Sequence, residues 1–131
     1  MNKTLIFASL GVFLLAGVPD AEARVQPGYS QQGIASYYHD SLHGRKTASG
    51  QIYDKNTPSA AHKTLPLGTK VRVTDKRTGK SIVVKVNDRG PFVKGRIIDL
   101  SRSAARELGM IKKGLAQVEV EVLSVPKARG S

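Results

Sequence analysis

The sequence contains no cysteine and no tryptophan, and only 5% of its 131 residues are aromatic. Without cysteine the chain can form no disulfide bond and cannot be lipid-anchored through an N-terminal cysteine. Its stability must come from a hydrophobic core, which a chain of about 100 residues can supply as one domain. The scarcity of aromatic side chains also argues against the stacking surface with which proteins bind single-stranded nucleic acid.

Acidic residues are scarce as well, because the chain has 10 Asp and Glu against 21 Lys and Arg. The formal net charge is +11. A small domain of this charge attracts polyanions such as nucleic acid, an anionic membrane surface or the bacterial cell wall. Composition alone leaves these three classes of partner open.

The N-terminal segment decides among them. An uncharged apolar run, Leu5–Val18, follows Lys3 and precedes the small-residue site Ala21–Ala23. The run is too short to span a bilayer comfortably, so residues 1–23 are predicted to be a secretory signal peptide, with an uncleaved anchor as the alternative. Removing one lysine and two acids raises the charge from +11 to +12. We expect an exported protein of the periplasm or cell wall, with no stable membrane anchor and no nucleic-acid partner.

The remaining sequence is organised as short strands with long connections. Alternation of apolar and polar residues predicts strands at 34–38, 71–74, 82–86 and 117–122. Residues 39–63 are predicted to be a long loop with one helical turn near 58–61. Ser101 as N-cap and Gly109 as terminator predict a short helix between them.

This pattern predicts a mainly β fold with one or two short helices. In a chain of this size, closure into a barrel is the simplest way to remove exposed sheet edges. The expected organisation is a flexible leader at 24–32, a barrel domain at 33–124 and a frayed tail at 125–131.

Seven short motifs, taken together, resemble the rare lipoprotein A family. They occur in that family's order and are Gly33–Tyr38, His43–Arg45, Thr47–Gly50, Ala60–His62, Thr64–Thr69, Val86–Pro91 and Ile98–Ser101. The joint occurrence of the last two at this spacing is specific. The resemblance implies a six-stranded double-psi β-barrel related to expansins. It also implies a lytic transglycosylase that prefers peptidoglycan glycan strands without stem peptides.

The resemblance places an active-site Asp at Asp88 and a functional His at His62. It also matches Asp99 to an acidic element that expansins carry. From local sequence alone, a turn is the favoured interpretation of Asp88, while Asp99 can satisfy backbone donors before a helix and His62 can be structural. The resemblance reverses the interpretation of Asp88. A lytic transglycosylase can work with one carboxylic acid, because the sugar's own 6-hydroxyl is the nucleophile. We predict Asp88 as the acid/base, Asp99 as a second acid and His62 as a supporting catalytic group.

One position departs from the family. The residue after Thr47–Gly50 is commonly a glutamate implicated in activity, and here it is Gln51. An amide can hydrogen-bond a sugar but cannot accept a proton at neutral pH. Two functions therefore remain: a lytic transglycosylase, or a non-catalytic, expansin-like module that binds glycan.

The predicted substrate-binding residues are Gln51, Tyr37, Thr47, Ser49 and Arg89. No cofactor is predicted. His39 and His43 have helical spacing but no third ligand in their Gly/Ser-rich loop, so no metal site is predicted either.

Overall fold

A computed structural model describes residues 25–127. The predicted signal peptide and residues 128–131 of the predicted tail lie outside these described residues. Between residues 25 and 127, no helix is long and apolar enough to cross a membrane.

Six strands form one closed barrel. They are β1 (Ser30–Tyr37), β2 (Ser59–His62), β3 (Lys70–Asp75), β4 (Ser81–Asp88), β5 (Arg96–Leu100) and β6 (Ala116–Ser124). Around the barrel their order is β1-β5-β2-β4-β3-β6, and β1 pairs with β6 to complete the circle. One α-helix, α1 (Arg102–Leu108), and one turn of 3-10 helix (Asp40–Leu42) complete the fold. The predicted barrel of six strands with one or two short helices is confirmed.

The side chains inside the barrel are almost all aliphatic. On β3 and β4 they come from alternate residues, as the sequence pattern predicted. The fully buried set includes Val71, Val73, Val84, Val86, Ile98, Leu100, Val118, Val120 and Val122. Ala104, Ala105 and Leu108 of α1 join this core. Ser101 caps α1 by accepting a hydrogen bond from the Ala104 N–H, and Gly109 ends it in the left-handed conformation, so the predicted helix is confirmed.

Three expectations about local structure were wrong. β1 starts at Ser30, inside the predicted flexible leader, because the backbone at 30–32 pairs with residues 119–121 of β6. Residues 59–62 form β2 and no helical turn. All four of these residues are buried, so the strand shows no alternation from which it could have been predicted. In the predicted frayed tail, Val125 packs against the core and the Pro126 ring lies close to Gly68.

A second, smaller apolar cluster lies on the outer wall of the barrel. Tyr38, Tyr53 and Ala61 are buried there, and Leu42 packs against them. The rings of Tyr38 and Tyr53 are stacked, with centroids 4.3 Å apart. This cluster fastens the long connection between β1 and β2 against the outside of the sheet.

Candidate active site

Two carboxylates lie in one row across the outer wall of the barrel. In the strand pairing, Ser36 of β1 is opposite Asp99 of β5, and both Asp99 and Asp88 are opposite Ala61 of β2. Asp99 and Asp88 therefore flank the same residue, with their backbones about 10 Å apart, two strand spacings. The register alone brings together these two acids, which are eleven positions apart in the sequence.

Asp88 reaches the outer wall because of a β-bulge. Ala60 pairs with Val86, but the next residue of β2, Ala61, pairs with Asp88, so one residue of β4 is extra. Val84 and Val86 face the core, and strict alternation would send Asp88 inward after them. The bulge reverses this direction and turns Asp88 outward, a recognised use of bulges next to functional sites.

The Asp88 carboxylate accepts hydrogen bonds from three donors. Its Oδ1 accepts from the backbone N–H of Ala48 and of Arg89, each at 2.8 Å. Its Oδ2 accepts from the hydroxyl of Tyr38. Two rigid backbone donors and one aromatic hydroxyl thus fix the orientation of this side chain. Asp88 also lines a small depression of about 120 Å³ together with Tyr38, Arg45 and Thr47.

Tyr38 is itself held in place. It is 7% exposed and stacks on Tyr53, whose hydroxyl accepts from the backbone N–H of Arg102 at 3.1 Å. Burial, followed by the hydrogen bond to Asp88, raises the pKa of Tyr38 above its ordinary value of 10.0. The phenol therefore remains a neutral hydrogen-bond donor at any physiological pH.

Asp99 has a different environment. Its Oδ1 accepts from the Ser36 hydroxyl at 2.9 Å. Burial raises the pKa of Asp99, and the charge of Asp88 adds to this, while Ser36 and Arg96 oppose it. The helix cap is Ser101, so the alternative in which Asp99 serves the start of α1 is not what the structure shows. The two acids thus combine proximity with unlike surroundings, an arrangement typical of paired catalytic carboxylates.

His62 lies next in β2 but makes other contacts. It is 2% exposed; its Nδ1 accepts from the backbone N–H of Thr64 and Leu65, each at 3.1 Å, and its Nε2 donates to Gln31 Oε1 at 2.7 Å. Burial, with Arg89 and Lys63, lowers the pKa of His62 to about 4. A neutral imidazole is required by these contacts, which hold the β2–β3 turn, and none of them reaches a carboxylate.

The Thr47–Gly50 motif forms a small hairpin over the end of β4, closed by a bridge between Lys46 and Ile52. Thr47 Oγ1 donates to the Gln51 carbonyl at 2.7 Å, and Ser49 Oγ accepts from the Gln51 N–H at 3.2 Å. The Gln51 side chain accepts from Asn87 Nδ2 at 3.3 Å. The predicted binding residues 47, 49 and 51 are therefore brought beside Asp88, with Thr47 and Ser49 engaged in shaping the hairpin.

The remaining predicted residues lie differently. The guanidinium of Arg89 donates to the carbonyls of His62 (3.1 Å) and Leu65 (2.7 Å). Tyr37 packs against the barrel core and donates to the Ile111 carbonyl at 2.9 Å, so the structure does not bring it to the carboxylate row. Its neighbour Tyr38 is the tyrosine at the site.

Tyr38 and Ser36 donate hydrogen bonds to the two acids, and neither was predicted from the sequence as a residue of the site. Their only signal was alternation in β1, which puts them on one face, opposite Tyr37. His39 and His43 form local contacts, with the Ser41 N–H and the Lys55 N–H. Among the described residues, no group of three His, Cys, Asp or Glu is arranged to hold a metal ion.

A closed six-stranded barrel of this strand order is a double-psi β-barrel, a fold that it shares with a solved expansin. The family model described as lytic transglycolase matches residues 30–120. The chain belongs to this family.

Similar proteins agree with that placement. An "Endolytic peptidoglycan transglycosylase RlpA" of Pasteurella multocida is 58% identical over 100 residues, which are 76% of this chain and 34% of that relative. The chain thus spans about a third of that relative's length. The Streptomyces papain inhibitor has a similar structure, with a TM-score of 0.60 and 25% identity, covering 74% of this chain and 96% of that one. The expansin of Clavibacter michiganensis shares the fold at a TM-score of 0.59 and 22% identity, over 76% of this chain and 53% of that one.

Proposed function

We propose that this protein is an endolytic peptidoglycan lytic transglycosylase of the cell envelope, which cleaves glycan strands lacking stem peptides and leaves 1,6-anhydro-muramyl ends. Family membership and the name of the Pasteurella relative support the reaction class. The observation that carries the proposal is the Asp88 carboxylate, turned outward by the bulge and oriented by three donors beside a second acid.

The reaction needs one proton carrier. In the first step the Asp88 carboxyl donates its proton to the glycosidic oxygen, and the bond from that oxygen to the anomeric carbon of the muramyl unit breaks. The 6-hydroxyl oxygen of the same sugar bonds to that carbon, and its proton passes to the Asp88 carboxylate. The acid is regenerated and no water is consumed. Because the nucleophile belongs to the substrate, proximity replaces a second catalytic carboxylate.

Tyr38 suits this cycle because a hydroxyl can both donate and accept. Its hydroxyl occupies one lone pair of Asp88 Oδ2 and leaves the other for the proton that Asp88 gives and takes, while Oδ1 remains bonded to two backbone N–H groups. The side chain therefore keeps one orientation through both proton transfers. We assign Tyr38 the role of positioning residue.

Asp99 is the rival proton donor within the same site. A raised pKa is what a general acid near neutral pH requires, and burial gives Asp99 that property. Its carboxyl oxygen accepts a hydrogen bond from Ser36 of β1. This strand lies beyond β5, on the side away from the hairpin that closes over Asp88. We place Asp99 as the supporting acid, and substitution of each acid separately distinguishes the two assignments.

The direct test is to incubate the exported protein with purified glycan strands from which stem peptides have been removed. Products with anhydro-muramyl ends support the proposal. Strands that are bound but remain uncut identify the second candidate, an expansin-like binding module, which the amide at Gln51 favours. Because the chain is strongly cationic, binding to whole sacculi should also weaken as salt rises, since at 1 M salt the screening length is about 3 Å.

A further inference from the structure

A second cavity lies on the far side of the hairpin that covers Asp88. Its volume is about 420 Å³, and its walls include Gln51, Ile52, Asp54, Pro58, Lys85 and Asn87. The Ile52 side chain is 56% exposed, although it is a large apolar residue. Apolar faces beside amide and charged groups are the composition that a sugar ring with polar substituents requires.

Several polar atoms in this cavity have spare hydrogen-bonding capacity. Asn87 Nδ2 donates to Gln51 Oε1 at 3.3 Å, which leaves the side-chain N–H groups of Gln51 and the side-chain Oδ1 of Asn87 without partners between residues 25 and 127. Asp54 is occupied, because its oxygens accept from the Asn56 N–H at 2.8 Å and the Thr57 hydroxyl at 3.0 Å. Those bonds hold the pKa of Asp54 below its ordinary value, so it stays a tethered anion in the cavity wall.

Lys85 gives this cavity a positive charge. It is exposed, and it lies directly opposite Lys70 in the antiparallel pairing of β3 and β4. Like charges directly opposite each other destabilise a sheet. Within the described part of the chain, neither ammonium group forms an ion pair, and the nearby outward carboxylate of Glu121 is bound to Arg72 at 3.1 Å. An anion seated beside Lys85 would relieve this repulsion.

We propose that this cavity is a second sugar subsite, and that Lys85, with Lys70 behind it, binds the carboxylate of an acidic sugar unit in the glycan strand. Lys85 lies three residues before Asp88, roughly 10 Å along β4. A single strand can therefore occupy both places, with one acidic unit at Lys85 and the bond to be cut at Asp88. The inference rests on the proposed function, since it names the glycan feature that the same site recognises.

The test is a binding measurement with two ligands that differ only in this charge. Glycan strands without stem peptides carry the free lactyl carboxylate of muramic acid, and converting those carboxylates to amides gives the neutral ligand. Titration calorimetry with the exported protein should show about tenfold tighter binding of the charged strand. Lys85→Gln should remove most of that preference by weakening the binding of the charged strand, whereas Lys85→Arg should retain it.

Lys112→Gln is the matched control, because Lys112 is an exposed lysine in the connection between α1 and β6, outside the walls of this cavity. It removes the same charge and should keep the preference. Equal affinity of the unmodified protein for both strands would overturn this inference and leave the proposed function standing. Equal loss of preference in Lys112→Gln and Lys85→Gln would overturn it too, because net charge would then explain the effect. Binding of neither strand would overturn both proposals.

Discussion

The two sides of the barrel differ in how regularly their side chains alternate between the core and the solvent. On the side formed by β3, β6 and the first half of β4, inward and outward residues alternate regularly, and the inward ones are apolar except Asp75. A register shift between Lys70 and Val71 is confined to the end of this side, and Val83 is an apolar residue that faces solvent. On the side formed by β1, β5, β2 and the end of β4, two register shifts interrupt the pairing, near Ala35 and near Ala61. The carboxylates, their hydroxyl partners and His62 all lie on this irregular side.

The contrast shows how the chain separates stability from chemistry. A regular sheet buries valines efficiently, but strict alternation decides which of its side chains can point toward solvent. A bulge disrupts the local pairing and turns a side chain, here Asp88, toward the face that strict alternation would not allow. Substitutions of the two carboxylates and of Tyr38 should therefore change turnover or its pH dependence more than they change the barrel itself.

The largest effect is expected from Asp88→Asn, which keeps the shape of the side chain and removes the titrating group. If Asp88 is the proton carrier, turnover on stripped glycan strands should fall by about 10²–10⁴ while thermal unfolding and sacculus binding stay near those of the unmodified protein. Asp99→Asn, assayed beside it, should lose less. A folded, inactive Asp99→Asn together with an active Asp88→Asn would transfer the acid role to Asp99.

His62 should make the barrel sensitive to acid. Its pKa is lowered from 6.5 to about 4, so below pH 6.5 the unfolded chain binds a proton that the folded protein rejects. The contribution of His62 to the free energy of unfolding is therefore fully present above pH 6.5. The free energy of unfolding should fall by about 3 kcal/mol as the pH drops to about 4. Denaturant unfolding at a series of pH values measures this loss.

His62→Gln is the comparison protein for that measurement. It should be less stable than the unmodified protein at pH 7, and its stability should vary less between pH 6.5 and 4. Asp99 acts with the opposite sign, because its raised pKa gives stability that is present at low pH and lost as pH rises. That contribution is present in both proteins and cancels in the difference. Parallel pH curves would show that folding does not lower the pKa of His62.

Tyr38→Phe should have a smaller effect, confined to the site. The ring stack on Tyr53 remains, and only the hydroxyl that donates to Asp88 is removed. We expect kcat to fall about tenfold, with a shifted pH profile of kcat and little change in Tm. Tyr29→Phe, at a tyrosine outside the site, is the control and should change neither. An unaltered pH profile in Tyr38→Phe would show that Tyr38 serves only in packing.

The smallest effect expected is a gain. In Gln51→Glu, the new carboxylate can accept the same hydrogen bonds from Asn87 and Ser49 that the amide oxygen accepts now. We expect turnover to rise a few-fold, because a second acid then stands beside the hairpin, and unfolding to be nearly unchanged. Turnover equal to that of the unmodified protein would show that position 51 takes no part in proton transfer here.

Much of the regular side was predictable and much of the irregular side was not. Alternation predicted the β3–β4 hairpin and the strand at β6, and the caps predicted α1, because these signals are local. β2 is buried on both faces and carries no period, so its sequence resembles a loop. The outward turn of Asp88 depends on a bulge whose partner, Ala61, is distant in sequence. Tyr38 was separated from Tyr37 only when the pairing of β1 with β5 fixed which face each occupies.

The proposed reaction cuts the strand without water, by an intramolecular attack at a site with one essential proton carrier. This reaction is tested most directly by digesting stripped glycan strands in water labelled with a heavy oxygen isotope and measuring the masses of the products. Intramolecular attack predicts anhydro-muramyl ends that are one water lighter than hydrolysed ends and carry no label. Labelled reducing ends would contradict it, because Asp88 and Asp99, about two strand spacings apart, would then be acting together as the acid and base of a hydrolase.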